Sequence, residues 1–123
     1  MRDNPVVWFE IYVQDMDRAK TFYETVFATR LERLEVDEFE MWSFPMEMSG
    51  PGAAGALCMM PGVASGGGGT LVYFNSDDCA VEAARVVKAG GSIHREKMSI
   101  GQYGFIVLAV DTEGNMIGIH SRA

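Results

Sequence analysis

The chain of 123 residues carries ten basic against seventeen acidic residues, a formal net charge of −7, with 48% hydrophobic and 22% charged residues. That length supports one shared core rather than two independent ones, and the acidic balance excludes nucleic acid as a partner, because phosphate-backbone binding needs clustered Lys and Arg to displace counterions. No apolar run approaches the roughly 20 residues of a membrane span and the opening MRDNPVV has no signal-like basic and apolar stretch, so no membrane partner and a cytoplasmic location are expected.

Residues 7–13 alternate, with Phe9, Ile11 and Val13 on one face and Trp8, Glu10 and Tyr12 on the other, the period of two of a strand with one apolar side. Asp15 or Asp17 then caps a helix running to about Phe27, with Ala19, Phe22, Tyr23 and Val26 on one face. Residues 39–48 read as a strand in which Pro45 marks an edge or bulge, and GPGAAG turns into a strand over residues 54–60. The glycine-rich residues 61–69 read as a flexible connector. Beyond it, residues 71–76 form a strand, Asp77 or Asp78 caps a helix to about Ala89, and Gly90-Gly91 ends it. Strands over residues 104–110 and 115–120 flank the turn signal DTEGN.

Both halves therefore have the order strand, helix, strands. Asp15 and Asp78 stand 63 positions apart and Gly52 and Gly114 stand 62 apart, so one unit is written twice with a slip of about one residue. The organisation expected is a single domain over residues 1–123, built from modules at about 5–62 and 69–121.

The residues Val13, Asp15, Arg18, Ala19, Phe22, Tyr23 and Ala28, together with D-x-x-G-N-x-I-G-I-H from Asp111 to His120, resemble the glyoxalase, bleomycin-resistance and extradiol-dioxygenase superfamily, the vicinal oxygen chelate proteins. The resemblance covers nearly the whole chain. It implies an α+β fold of two tandem βαβββ modules forming a curved mixed sheet, a cup, with helices outside and a ligand site inside. In the metal-dependent members four ligands, usually His, Gln or Glu, project into the cup, and the resemblance puts Trp8, Ala56, Leu71 and Gly118 at those places. Indole has only an N–H donor, and Leu, Ala and Gly have no ligating side chain, while divalent ions need N, O or S donors. No metal and no cofactor are expected, which argues against metal-dependent glyoxalase or ring-cleavage chemistry.

Strand parity gives the inner face as Trp8, Glu10 and Tyr12; Leu71, Tyr73 and Asn75; and Met116, Gly118 and His120, and the repeat matches Ala54, Ala56, Cys58 and Met60 to the last of these. This surface is aromatic and sparsely polar, as small-molecule pockets are. The candidate ligand-binding residues are Trp8, Tyr12, Trp42, Cys58, Leu71, Tyr73, Asn75 and Met116, and the candidate catalytic residues are Glu10 and His120. A carboxylate between Trp8 and Tyr12 is costly if buried dry, so Glu10 lines a site, ends a strand in water or pairs at an interface. His120 reads as a general base, a ligand-binding group or a rim residue, imidazole being the side chain best suited to proton transfer at physiological pH. His94, within HREK, belongs to a solvated surface. The GxGxxG at Gly50 to Gly55 precedes a strand rather than a helix, which removes the phosphate-binding geometry that motif needs. Cys58 and Cys79, without CxxC spacing, read as reduced thiols.

The function expected is metal-independent binding of a small, partly aromatic, cationic organic molecule, the negative charge favouring a cation. The alternative is a lyase or isomerase, lactoylglutathione-lyase-like, acting next to a carbonyl or diol, with Glu10 or His120 as base and Tyr12 or Tyr73 as acid. Whether the chain is an enzyme stays open, as does a subunit with a vestigial cup. The expected partners are a small-molecule ligand and a second copy of the chain in a homodimer.

Overall fold

The structure is a computed structural model and describes residues 4–123. The chain divides into two compact units, Trp8–Thr70 and the residues up to Val7 together with Leu71–Ala123. In the first unit the order is β1 (Val6–Tyr12, from Trp8 on), α1 (Met16–Phe27), β2 (Glu32–Arg33), β3 (Glu40–Ser43) and β4 (Ala54–Met59). Its strands lie in the order β2-β3-β4-β1, with β1 parallel to β4 and the other neighbours antiparallel. The second unit contains β5 (Thr70–Asn75, from Leu71 on), α2 (Cys79–Lys88), β6 (Ser92–Ser99), β7 (Phe105–Val110) and β8 (Met116–Ser121). Its order is β6-β7-β8-β5, again with only the first and last strands of the unit parallel. The α+β class and the repeated βαβββ order are thus both present. Glu10 lies opposite Ala56 and Tyr73 opposite Gly118, so register joins the positions that the two sequence offsets equate.

Each helix starts where its Asp supplies an acceptor to an otherwise unbonded N–H. Asp15 accepts from the Arg18 N–H at 3.1 Å, and Asp78 accepts from the Ala80 N–H at 3.1 Å. The helix α1 ends on Ala28, held left-handed at φ 50 with its N–H bonded to the Glu24 carbonyl. From α1, Met16, Ala19 and Tyr23 pack with Val13, Leu31 and Leu57 and with Ile11, Trp42 and Phe44. Against α2, Cys79 and Ala83 meet Val107 and Ile119, with Ile93 and Phe105 at the margin. No helix among the described residues is long and apolar enough to cross a membrane.

Several sequence expectations change in detail. The strand expected over residues 39–48 shortens to Glu40–Ser43; Pro45 lacks an N–H and the ladder stops before it. Phe22 and Val26 share the face of Ala19 and Tyr23 yet are 58% and 56% exposed; of the α1 side chains Met16 alone is fully buried, so the first unit covers only part of the apolar stripe. The connector is also tied down: the Gly69 N–H bonds to the Gly66 carbonyl and the Gly69 carbonyl accepts the Tyr12 N–H, each at 2.8 Å. Two strands were not anticipated, β2 and β6. The latter, SIHREKMS, is a largely exposed and bulged edge strand whose charges mask its period.

Candidate functional site

Alternation along β1 sends Ile11 toward α1 and places Trp8, Glu10 and Tyr12 on the opposite side. Two-residue spacing puts all three on one face, where Trp8 and Tyr12 flank the carboxylate. The Trp8 indole N–H donates to Glu10 Oε2 at 3.1 Å, and the Tyr12 hydroxyl donates to Oε1 at 2.6 Å. Glu10 is only 8% exposed, and a buried carboxylate requires such donors.

Parallel pairing with β4 sets Ala56 opposite Glu10 and Cys58 opposite Tyr12. Both are wholly buried, and with Met41 they form a cluster packed by Trp8, Tyr12, Leu34, Val36 and Phe39. Burial pushes the Cys58 thiol far above its ordinary 9.0, and the negative charge of Glu10 adds to the effect. Cys58 therefore stays a neutral thiol, a soft apolar wall rather than a nucleophile. Buried Ser43 faces Ala56 across β3 and β4.

Trp42 does not join this group. Its side chain packs in the cluster on the α1 side, its indole N–H donates to Glu40 Oε2 at 2.9 Å, and the Lys20 ammonium lies 3.3 Å over its ring. The parity of β3 thus sets Trp42 on the α1 side and gives the Glu10 side to Met41. Leu34, Val36 and Phe39, which pack on this cluster, are the residues that sequence reasoning did not single out. Their signal was the apolar spacing within L-E-V-D-E-F, most of which was assigned to no element.

In the second unit, Leu71 and Tyr73 are buried on β5. Tyr73 lies across Gly118, where an added Cβ would fall 2.2 Å from the ring. Glycine there lets the phenol ring lie against the backbone of β8. Asn75 and His120 are opposite one another in register. The His120 Nε2 lies 2.6 Å from the Tyr103 carbonyl; a carbonyl only accepts, so this nitrogen carries the hydrogen. Met116 opens β8 at 39% exposure, and His94 is exposed on β6.

At the four positions where the resemblance puts metal ligands, the side chains present do not suit a metal ion. Trp8, Ala56, Leu71 and Gly118 supply no ligand atom, and among the described residues no group of three or more His, Cys, Asp or Glu could hold an ion. Two open depressions of about 300 and 320 Å³ lie around the start of α1, lined by residues such as Asp15 and Arg18 or Asp17 and Glu40. Glu10 is largely covered and lines neither depression, although its neighbour Tyr12 lines the first.

Among solved structures, the chain is similar to methylmalonyl-CoA epimerase from Mycobacterium tuberculosis, at 16% identity and a TM-score of 0.70 over 97% of this chain and 88% of that one. A variant of the Streptomyces coelicolor methylmalonyl-CoA epimerase, in complex with 2-nitronate-propionyl-CoA, aligns at 15% identity and a TM-score of 0.69, covering 98% of each chain. A hypothetical protein from Bacillus halodurans aligns at 9% identity with a TM-score of 0.74, over 99% of this chain and 96% of that one. At such identities these likenesses speak for the fold alone. No curated protein matches the sequence. The family model for the Glyoxalase/Bleomycin resistance protein/Dioxygenase superfamily matches residues 6–119, nearly the whole chain, and the chain belongs to that superfamily.

Proposed function

We propose that the protein binds a small, partly aromatic, cationic organic molecule against the Glu10 face, without a metal. The observation that carries this reading is the Glu10 carboxylate, 8% exposed and held by Trp8 and Tyr12 within a surface otherwise made of Met41, Ala56 and Cys58. Apolar walls give affinity, and one oriented charge fixes a cationic group against it. The net charge of −7 works in the same direction over longer range. A test is calorimetric titration of protein freed of metal by chelator with a panel of amine-bearing aromatic compounds, bleomycin among them. Saturable binding weakened at least about tenfold by Glu10→Gln supports the reading, since about 1.4 kcal/mol is a modest cost for losing one charged contact. Binding that needs added divalent metal counts against it.

The 2.6 Å contact between Tyr12 and Glu10 favours a second reading, a lyase or isomerase that moves a proton next to a carbonyl. Glu10 would take the proton and the Tyr12 hydroxyl would steady the carboxylate. His120, with Nε2 turned to Tyr103, offers Nδ1 as the other base. The similarity to epimerases suggests the substrate to try: deuterium uptake from heavy water into methylmalonyl-CoA, read by mass spectrometry. Uptake abolished by Glu10→Gln establishes turnover, and no uptake removes this reading while leaving the first. A homodimer and a cytoplasmic location belong to the same proposal. The exposed Phe22, Val26 and Phe27 on α1 offer one apolar surface for self-association, and sedimentation velocity tests it.

A further inference from the structure

The connection between β2 and β3 folds back over the face that carries Glu10. In residues 34–39, L-E-V-D-E-F, the apolar side chains Leu34, Val36 and Phe39 pack on Met41, Ala56 and Cys58, whereas Glu35, Asp37 and Glu38 are exposed. The last rung of the ladder is the Leu34 N–H to the Met41 carbonyl at 2.9 Å. Beyond it, among the described residues, no hydrogen bond or ion pair ties residues 35–39 to the rest. Glu38 sits at φ +70, a left-handed conformation that a residue with a Cβ adopts at a cost. Three carboxylates within four positions, next to Glu40, repel one another and favour solvent over a fixed arrangement.

We infer that residues 35–39 are a strap, hinged at Leu34 and Glu40, that lifts from this face as a local unit while the sheet stays formed. Within it only the side chains of Val36 and Phe39 hold it down, and one strained residue and a run of like charge work against them. Segments with few buried contacts and no backbone ladder open well below the free energy of global unfolding. Lifting the strap bares the Met41, Ala56 and Cys58 floor beside Glu10. On the binding reading above, which this inference extends, a ligand takes the place of Val36 and Phe39. Its body is then apolar and of about that size, with its cationic group at Glu10. The strap's carboxylates remain at the rim as an acidic collar.

Two thiols test the opening directly. Cys58 lies under the strap and Cys79 lies in the α2 core, and both are wholly buried. The whole protein is exposed to N-ethylmaleimide across low urea concentrations, and modification at each thiol is followed by peptide mass spectrometry. The strap predicts Cys58 modification at least tenfold faster than Cys79, with a shallow urea dependence because little surface is exposed. Phe39→Ala raises the Cys58 rate at least tenfold and leaves Cys79 within twofold. Glu38→Asn, which suits the left-handed backbone, lowers the Cys58 rate. A steep urea dependence at Cys58 overturns the strap, as does an equal rise at both thiols in Phe39→Ala. Because the experiment contains no ligand, it is independent of whether the Glu10 face binds one.

Discussion

Tyr12 and Glu10, neighbours on one face of β1, are joined by a phenol-to-carboxylate hydrogen bond of 2.6 Å. Opposite them on β4 stand Cys58 and Ala56, too small to compete for the carboxylate and too apolar to solvate it. The pair thus concentrates the polarity of this face at one point, and Trp8 holds the other oxygen. Any ligand of this face meets a carboxylate already oriented by two rigid aromatic side chains.

Tyr12→Phe removes a charge-assisted donor from a buried acceptor and keeps the ring. The expected result is a loss of about 1–3 kcal/mol in stability, read as a lower urea midpoint with an unchanged slope. Glu10→Gln combined with Tyr12→Phe should cost less than the two changes separately, since the interaction broken by the second is already weakened by the first. Strict additivity in the double-mutant cycle would mean that the bond contributes nothing.

The ring of Tyr73 occupies the space that a side chain at position 118 would need. Gly118→Ala is therefore expected to destabilise the fold by about 1–3 kcal/mol through overpacking. Tyr73→Leu should relieve part of that penalty, giving a coupling of about 1 kcal/mol between the two sites. A Gly118→Ala protein as stable as the parent in urea would show that the ring does not rest there.

Asp78 has its carboxyl held below the ordinary 3.8 first by the hydrogen bond from Lys97, at 2.8 Å, and next by the Ala80 N–H that it caps. A pKa lower in the folded state means that the stabilisation is present above the ordinary value and is lost as pH falls through the folded one. The difference in Tm between the parent and Asp78→Asn should be constant above about pH 5 and shrink steadily below the ordinary carboxylate range. Lys97→Met should flatten that dependence, and so should salt, because the pair is at the surface. A difference that grows on acidification would reverse the sign of the linkage.

Trp42 and Trp8 should part company in function. With Trp42 packed on the α1 side beneath Lys20, Trp42→Leu is expected to lower stability by about 1–3 kcal/mol and to leave ligand affinity within about twofold. Trp8→Phe should weaken ligand binding at equal or smaller cost to the fold, as judged by calorimetry beside urea denaturation. The opposite pattern would return Trp42 to the ligand side.

How much of this was legible in the sequence depends on whether chemistry and geometry share a period. On β1, apolar and polar side chains alternate in step with the pleat, so the side occupied by Trp8, Glu10 and Tyr12 could be read directly. The Asp15 and Asp78 caps were legible because acceptor side chains before an apolar helical pattern have few other uses. In β3, by contrast, Met41 and Trp42 are both apolar and one side cannot be told from the other. On α1, periodicity identifies a stripe but not how much of it the sheet covers, which is why Phe22 and Val26 emerged exposed. Leu34, Val36 and Phe39 escaped notice for another reason. Their alternation belongs to no strand, and only the fold shows what they lie on.

Metal-free recognition at Glu10 is tested most directly by titrating chelator-treated parent and Glu10→Gln proteins, side by side, with the panel of amine-bearing aromatic compounds. Expected is saturable binding by the parent with no divalent ion present, and an affinity at least about tenfold lower for Glu10→Gln. Equal affinity in the two proteins, or binding that appears only when a divalent metal is restored, would contradict it.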